Sequence, residues 1–119
     1  VAFTGADGSG TLTLTRAVWT DAGELAAPAG QRYLVLDVTI SCTGGRVAVT
    51  PPSLLITSGE TGTLPAFGPS LERPLAGVEL SPGGQVSGQV GYALAPGAVR
   101  LHLVDAALRR LATVEVPAP

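Results

Sequence analysis

Two segments of this chain alternate apolar side chains with other side chains at a period of two residues. From Tyr33 to Cys42 the even-numbered residues are all apolar, and from Gln85 to Leu94 they are apolar or glycine. In an extended strand successive side chains point to opposite faces, so this period collects the apolar groups on one face. We therefore predict two strands that each turn one face to a core and the other to water.

Weaker alternation marks five further strands, which brings the predicted number to about seven. In the first of them, Val18 keeps the phase of Leu12 only if Arg16 also points inward, so we expect a β-bulge near Arg16. The segment from Asp105 to Leu111 fits either a helical turn capped by Asp105 or a hairpin loop. The five weaker strands are Thr11 to Trp19, Val47 to Val49, Leu54 to Ile56, Val99 to Leu103 and Leu111 to Val116.

Glycine and proline are frequent, with 16 and 10 residues, and many of them stand between the predicted strands. Both residue types supply the backbone angles that tight turns require. The stretch from Ser58 to Leu80 is less regular and predicts a long connection with one edge strand. For a chain of 119 residues we predict one domain over 1–119, with its core over about 10–116. The predicted fold class is all-β, an immunoglobulin-like antiparallel β-sandwich of about seven strands.

The charge pattern limits the classes of partner. The net charge is −2, and all seven basic residues are arginines scattered along the chain, so no basic stripe is available for nucleic acid. Exclusive use of arginine, with abundant Ala, Gly, Pro and Val, is typical of proteins from GC-rich bacterial genomes. No apolar run is long enough to span a bilayer. The chain begins at Val1 and contains no Met, so we expect a processed product from which a targeting segment could have been removed.

Two longer motifs point to a family. The segment from Gly30 to Gly45 reads G-Q-R-Y-L-V-L-D-V-T-I-S-C-T-G-G, and that from Leu80 to Pro96 reads L-S-P-G-G-Q-V-S-G-Q-V-G-Y-A-L-A-P. With the strand that follows, they resemble a family of bacterial secreted and lipoprotein immunoglobulin-like domains, often called telokin-like, of unknown function. The resemblance covers roughly Gly10 to Val116.

This resemblance implies a β-sandwich outside the cytoplasm, either secreted or anchored at the cell surface, and a protein of the cell envelope as its partner. It implies no catalytic residues, because the family has none established. One departure is Cys42, which stands where the family pattern usually has Asn.

Cys42 and His102 are the only residues that could form a Cys–His nucleophilic pair. Cys42 shares the apolar face of its strand and is expected to be buried, whereas His102 alternates with Leu101 and Leu103 and is expected to face solvent. The two side chains then lie on different faces, so we predict no enzyme activity. A single His and a single Cys make a zinc or copper site improbable, and we predict neither metal nor cofactor.

Candidate binding residues can be assigned from their positions along the predicted strands and loops. We expect Trp19 to belong to the core and Tyr33, in phase with polar residues, to be exposed. Phe67 and Arg73 stand on the long connection, and loops carry binding functions more often than the scaffold does. We therefore predict a partner site at Phe67, Arg73 and Tyr33. The alternative function is a structural spacer of a larger surface protein or lipoprotein.

Overall fold

The computed structural model describes residues 1–66 and 69–119. Within these residues the chain forms ten strands and one short 3-10 helix, Pro51–Ser53, and no helix in this part of the chain is long and apolar enough to cross a membrane. The strands are β1 (Ala2–Thr4), β2 (Gly8–Thr20), β3 (Arg32–Gly45), β4 (Val47–Val49), β5 (Leu54–Ser58), β6 (Thr61–Thr63), β7 (Val78–Leu80), β8 (Gln85–Leu94), β9 (Val99–Val104) and β10 (Arg110–Val116).

The strands form two four-stranded antiparallel sheets and one small ribbon. The first sheet has the order β1-β2-β3-β8, the second has the order β10-β9-β5-β6, and β4 pairs with β7. Both large sheets contribute to one hydrophobic cluster, so the molecule is an all-β sandwich, as predicted. The seven predicted strands correspond to β2, β3, β4, β5, β8, β9 and β10, and the structure adds the short strand β1. The stretch from Ser58 to Leu80, where one edge strand was predicted, contains two short strands, β6 and β7.

The core is formed by the apolar faces that the alternation identified. All five even-numbered residues from Leu34 to Cys42 are buried, and they face buried side chains of the second sheet such as Ile56 and Leu101. Burying one such aliphatic side chain stabilises the fold by about 1.5–3 kcal/mol, so these faces fix which side of each strand points inward. Phe3, which precedes the range predicted for the core, is also part of the cluster.

Two local features agree with the sequence analysis. The pairing of β2 with β3 shifts register between Leu14 and Arg16, which is the predicted bulge. Between β9 and β10 the chain makes a hairpin loop, so of the two alternatives for Asp105 to Leu111 the loop is correct. The carboxylate of Asp105 accepts hydrogen bonds from the backbone N–H groups of Ala107 and Arg109, both at 2.9 Å.

The connection between β6 and β7 runs along the edge of β8 that no strand of the first sheet occupies. The N–H of Ala66 donates to the carbonyl of Gly91 at 2.9 Å, and the N–H of Leu75 donates to the carbonyl of Gln89 at 2.9 Å. In return the N–H of Gln89 donates to the carbonyl of Arg73 at 2.8 Å. The backbone groups that an edge strand would leave unpaired are thus bonded to the connection at these points.

This close approach depends on glycine. A Cβ atom at Gly88 would lie 2.6 Å from the Cα of Leu75, and one at Gly91 would lie 2.4 Å from the Cγ of Pro69. The absence of side chains at these two positions of β8 lets the connection lie directly on the strand. Leu75, held there, is only 5% exposed and joins the core cluster.

The prediction that Tyr33 is exposed was wrong. Its side chain is 2% exposed, and its hydroxyl donates a hydrogen bond of 2.8 Å to the carbonyl of Leu25. Leu25 belongs to the segment that joins β2 to β3, and the hydrogen bond holds this segment against the outer face of β3. Trp19, expected in the core, is half-buried against it, and its indole N–H donates to the carbonyl of Pro117 at 3.3 Å.

Candidate functional site

Of the three predicted partner residues, only Arg73 is both described by the structure and exposed. Tyr33 is buried, and Phe67 lies outside the residues that the structure describes. Arg73 is exposed, and its backbone is fixed on both sides. Its carbonyl accepts from the N–H of Gln89, and its own N–H donates to the side-chain oxygen of Gln89 at 3.2 Å. The backbone of Arg73 is therefore held in place by hydrogen bonds, unlike that of a residue on a free loop.

Arg73 lines a groove on the outer face of the first sheet, which we name the Arg73 groove. Its volume is about 470 Å³. Arg16 and Asp37, register partners on β2 and β3, contribute opposite charges to it. Its lining residues are Thr15, Arg16, Asp37, Val38, Thr39, Arg73, Ser87 and Gly88.

The Arg73 groove offers charged and hydroxyl groups together. Thr39 and Ser87 are register partners whose hydroxyl oxygens lie 2.8 Å apart. Among the described residues, no ion pair joins Arg16 or Arg73 to a carboxylate, so both guanidinium groups keep their donors for solvent or a partner. Such a surface suits a polar partner that presents a carboxylate or another acceptor.

The prediction that His102 faces solvent was also wrong. His102 does lie on the outer face of the second sheet, yet it is only 2% exposed. Its Nε2 is 2.7 Å from the hydroxyl of Thr57 on β5, and its Nδ1 is 2.8 Å from the hydroxyl of Thr113 on β10. Each ring nitrogen therefore has a hydroxyl partner from a neighbouring strand, and these partners offset the free-energy cost of removing the imidazole from water.

The environment of His102 favours the neutral imidazole. Burial lowers the pKa of His102 below its ordinary value of 6.5, and the positive charges of Arg110 and Arg100 lower the pKa further. A hydroxyl–imidazole pair at 2.7 Å resembles an activated nucleophile. A general base, however, must become an imidazolium during the reaction, and here the orienting partner is the uncharged Thr113 instead of a carboxylate. The two arginines oppose that step as well.

Cys42 and His102 are not brought together, because they lie on different sheets. Cys42 is buried as predicted, and its thiol is 3.4 Å from the carbonyl of Gly44. Among residues 1–66 and 69–119, no group of three or more His, Cys, Asp or Glu side chains lies close enough to hold a metal ion.

A second groove, which the sequence analysis missed, lies beside His102 on the second sheet. We name it the Arg100 groove; its volume is about 650 Å³. The one signal in the sequence is that His102, the single histidine, follows Arg100 by two residues on a predicted strand. The lining residues are Thr57, Gly59, Ala98, Val99, Arg100, Arg110, Glu115, Val116 and Pro117.

These features define a class of domain: an all-β sandwich whose outer faces carry polar grooves. A similar fold is found in the crystal structure of a "putative lipoprotein (ycdA)" from Bacillus subtilis, with a TM-score of 0.77 and 12% sequence identity. The match covers 98% of this chain and 38% of that chain, so this chain spans well under half the length of its structural neighbour. At this identity the likeness concerns the fold.

No family model matches the sequence, and no significant match to a curated protein was found. The resemblance to the telokin-like family therefore stays a prediction.

Proposed function

We propose that this chain is a non-catalytic, extracytoplasmic domain that binds another protein through the Arg73 groove. The observation that carries the proposal is the fixed position of the connection on β8, which sets Arg73 beside Arg16 and Asp37. Arginine is enriched among the residues that dominate binding energy at protein interfaces. A backbone that is ordered before binding reduces the entropy lost when the complex forms.

The location outside the cytoplasm is supported by fold likeness and by the motifs. The structural neighbour is described as a "putative lipoprotein", which suits a domain of the bacterial cell envelope. The motifs from Gly30 to Gly45 and from Leu80 to Pro96, which resemble those of the telokin-like family, favour the same setting. A protein of the envelope is therefore the partner that we propose.

The absence of catalysis is supported by the chemistry around the single histidine. His102 has hydroxyl partners on both ring nitrogens and two arginines nearby, which disfavour the charged form that a general base must reach. Cys42 is buried on the other sheet, away from this imidazole. These arrangements suit structural roles for both residues.

A second candidate function is a structural spacer. It is favoured by the comparison with the Bacillus protein, in which the matched fold accounts for 38% of a longer chain. A spacer needs a stable sandwich and no partner surface, so the two candidates differ in whether the Arg73 groove is used.

The test is a pull-down with the immobilised domain and extracts of the envelope and culture fluid. We expect an envelope protein to be retained by the native domain and lost from the double variant R16A/R73A. The matched control is R46A/R109A, which removes two exposed arginines outside the groove and should retain the partner. Retention of no protein would favour the spacer, and equal retention by R16A/R73A would refute the assignment to this groove.

A further inference from the structure

We propose that the Arg100 groove binds the oxyanion group, phosphate or carboxylate, of a small ligand between the side chains of Arg100 and Arg110. This site lies on the second sheet and is independent of the partner surface proposed above. Guanidinium groups recognise phosphate and carboxylate because their planar donors match two oxygens at once.

The strand register shows how two arginines reach one groove. On β9, Arg100 is paired with Glu115 of β10 and Thr57 of β5, while Val104 is paired with Arg110. His102 stands between these two rows on the same face. Both Arg100 and Arg110 line the groove, and the charges of both act on the imidazole of His102, which lies between their rows. The two positive groups thus converge on one space.

The charge of the groove is positive although the whole chain is acidic. Glu115 is its one carboxylate among the described lining residues, and it lies 3.7 Å from Arg100. The Arg100 side chain is 64% exposed and that of Glu115 is 82% exposed, so this pair is solvated and weak. Two guanidinium groups against one carboxylate leave one positive charge for an incoming anion.

The floor of the groove adds polar groups that are already ordered. Thr57 lines the groove, and its hydroxyl is held by Nε2 of His102 at 2.7 Å. A hydroxyl has one donor and two acceptor positions, so Thr57 retains capacity for another hydrogen bond. The volume of about 650 Å³ is typical of a site for a small organic molecule, of which the oxyanion would be the anchoring group.

The single histidine makes a direct binding assay possible. His102 lies on β9 between the rows of Arg100 and Arg110 and is affected by the charges of both, so its ring signals in an NMR spectrum should shift when an anion binds. We would titrate inorganic phosphate and, separately, citrate at constant pH and ionic strength. We expect a saturable shift with at least one probe, and the tighter probe identifies phosphate or carboxylate as the preferred group.

Matched variants test the site itself. R100Q and R110Q should each weaken binding about tenfold, because each removes a charge-assisted pair of hydrogen bonds. R46Q, an exposed arginine outside the groove, should leave binding unchanged. E115Q removes the competing carboxylate and should tighten binding about two- to fivefold. Its control is E79Q, which changes the net charge equally and also frees an exposed arginine, here Arg46.

Three results would overturn the proposal. The first is a titration of the native protein that does not saturate. The second is binding to R100Q or R110Q that is as tight as binding to the native protein. The third is an equal gain in affinity in E115Q and E79Q, which would reduce the effect to net charge. The proposal predicts tighter binding in E115Q, and a gain in affinity cannot result from a loss of folding.

Discussion

Replacing Gly88 by Ala should detach the connection from β8. The new Cβ would lie 2.6 Å from the Cα of Leu75 and 2.9 Å from its backbone nitrogen, and backbone atoms cannot rotate away as a side chain can. The connection must therefore move outward, which weakens the two hydrogen bonds that Gln89 makes with Arg73 and Leu75.

The loss of stability in G88A can be worked out from the contacts that this movement removes. Withdrawing the buried Leu75 side chain from the core costs about 1.5–3 kcal/mol. Each of the two backbone hydrogen bonds contributes about 0.5–1.5 kcal/mol. Since part of the strain can relax without complete loss of either contribution, we expect G88A to lower the free energy of unfolding by about 2–4 kcal/mol.

Urea unfolding followed by circular dichroism gives this free energy, and amide hydrogen exchange locates the change. In G88A the amides of Leu75 and Gln89 should lose protection more than those of Leu36 in the centre of β3. Gly97 supplies the control, because a Cβ there meets nothing within 4 Å, and G97A should change stability by less than about 1 kcal/mol. The reasoning is refuted if G88A unfolds at the native urea midpoint with both amides still protected.

Three further outcomes can be checked on the same protein. Folding lowers the pKa of His102, so the unfolded chain binds a proton at His102 more readily than the folded chain does. The free energy of unfolding should therefore fall as the pH falls from about 7 to about 5. The urea midpoint of H102Q should fall less over this range, and an equal fall would contradict a lowered pKa for His102. Cys42 is buried, so a thiol reagent should modify it slowly in the native protein and rapidly in urea, as followed by intact mass; equal rates would contradict its burial. Leu108 has a φ of 61° and is exposed, so L108N should raise stability by up to about 1 kcal/mol, whereas a lower urea midpoint would count against backbone strain there.

The sequence predicts the inward faces of this sandwich well because burial and strand geometry act residue by residue. The even-numbered residues from Leu34 to Cys42 of β3 are apolar and buried, and the bulge near Arg16 follows from a break in the alternation of β2. A one-residue shift would turn the whole apolar set to water, so the pattern leaves little freedom.

The outer faces are harder to predict because other parts of the chain cover them. Tyr33 is buried by its bond to Leu25, and His102 is buried among Thr57 and Thr113 from two other strands. Alternation along one strand says which side chains point away from the core, but it does not say what lies over them. The same limit explains why the Arg100 groove was missed, because alternation along β9 does not show that Arg110 of β10 lines the same space as Arg100.

The bonded edge of β8 bears on how this domain behaves at high concentration. A strand with free N–H and C=O groups can accept a strand from another molecule, which is how sheets grow into fibres and how copies exchange segments. Here Ala66, Arg73 and Leu75 already occupy those groups at several points along β8. The connection that carries Arg73, the residue of the proposed partner site, therefore also blocks strand addition at this edge. A change that frees the connection should increase aggregation.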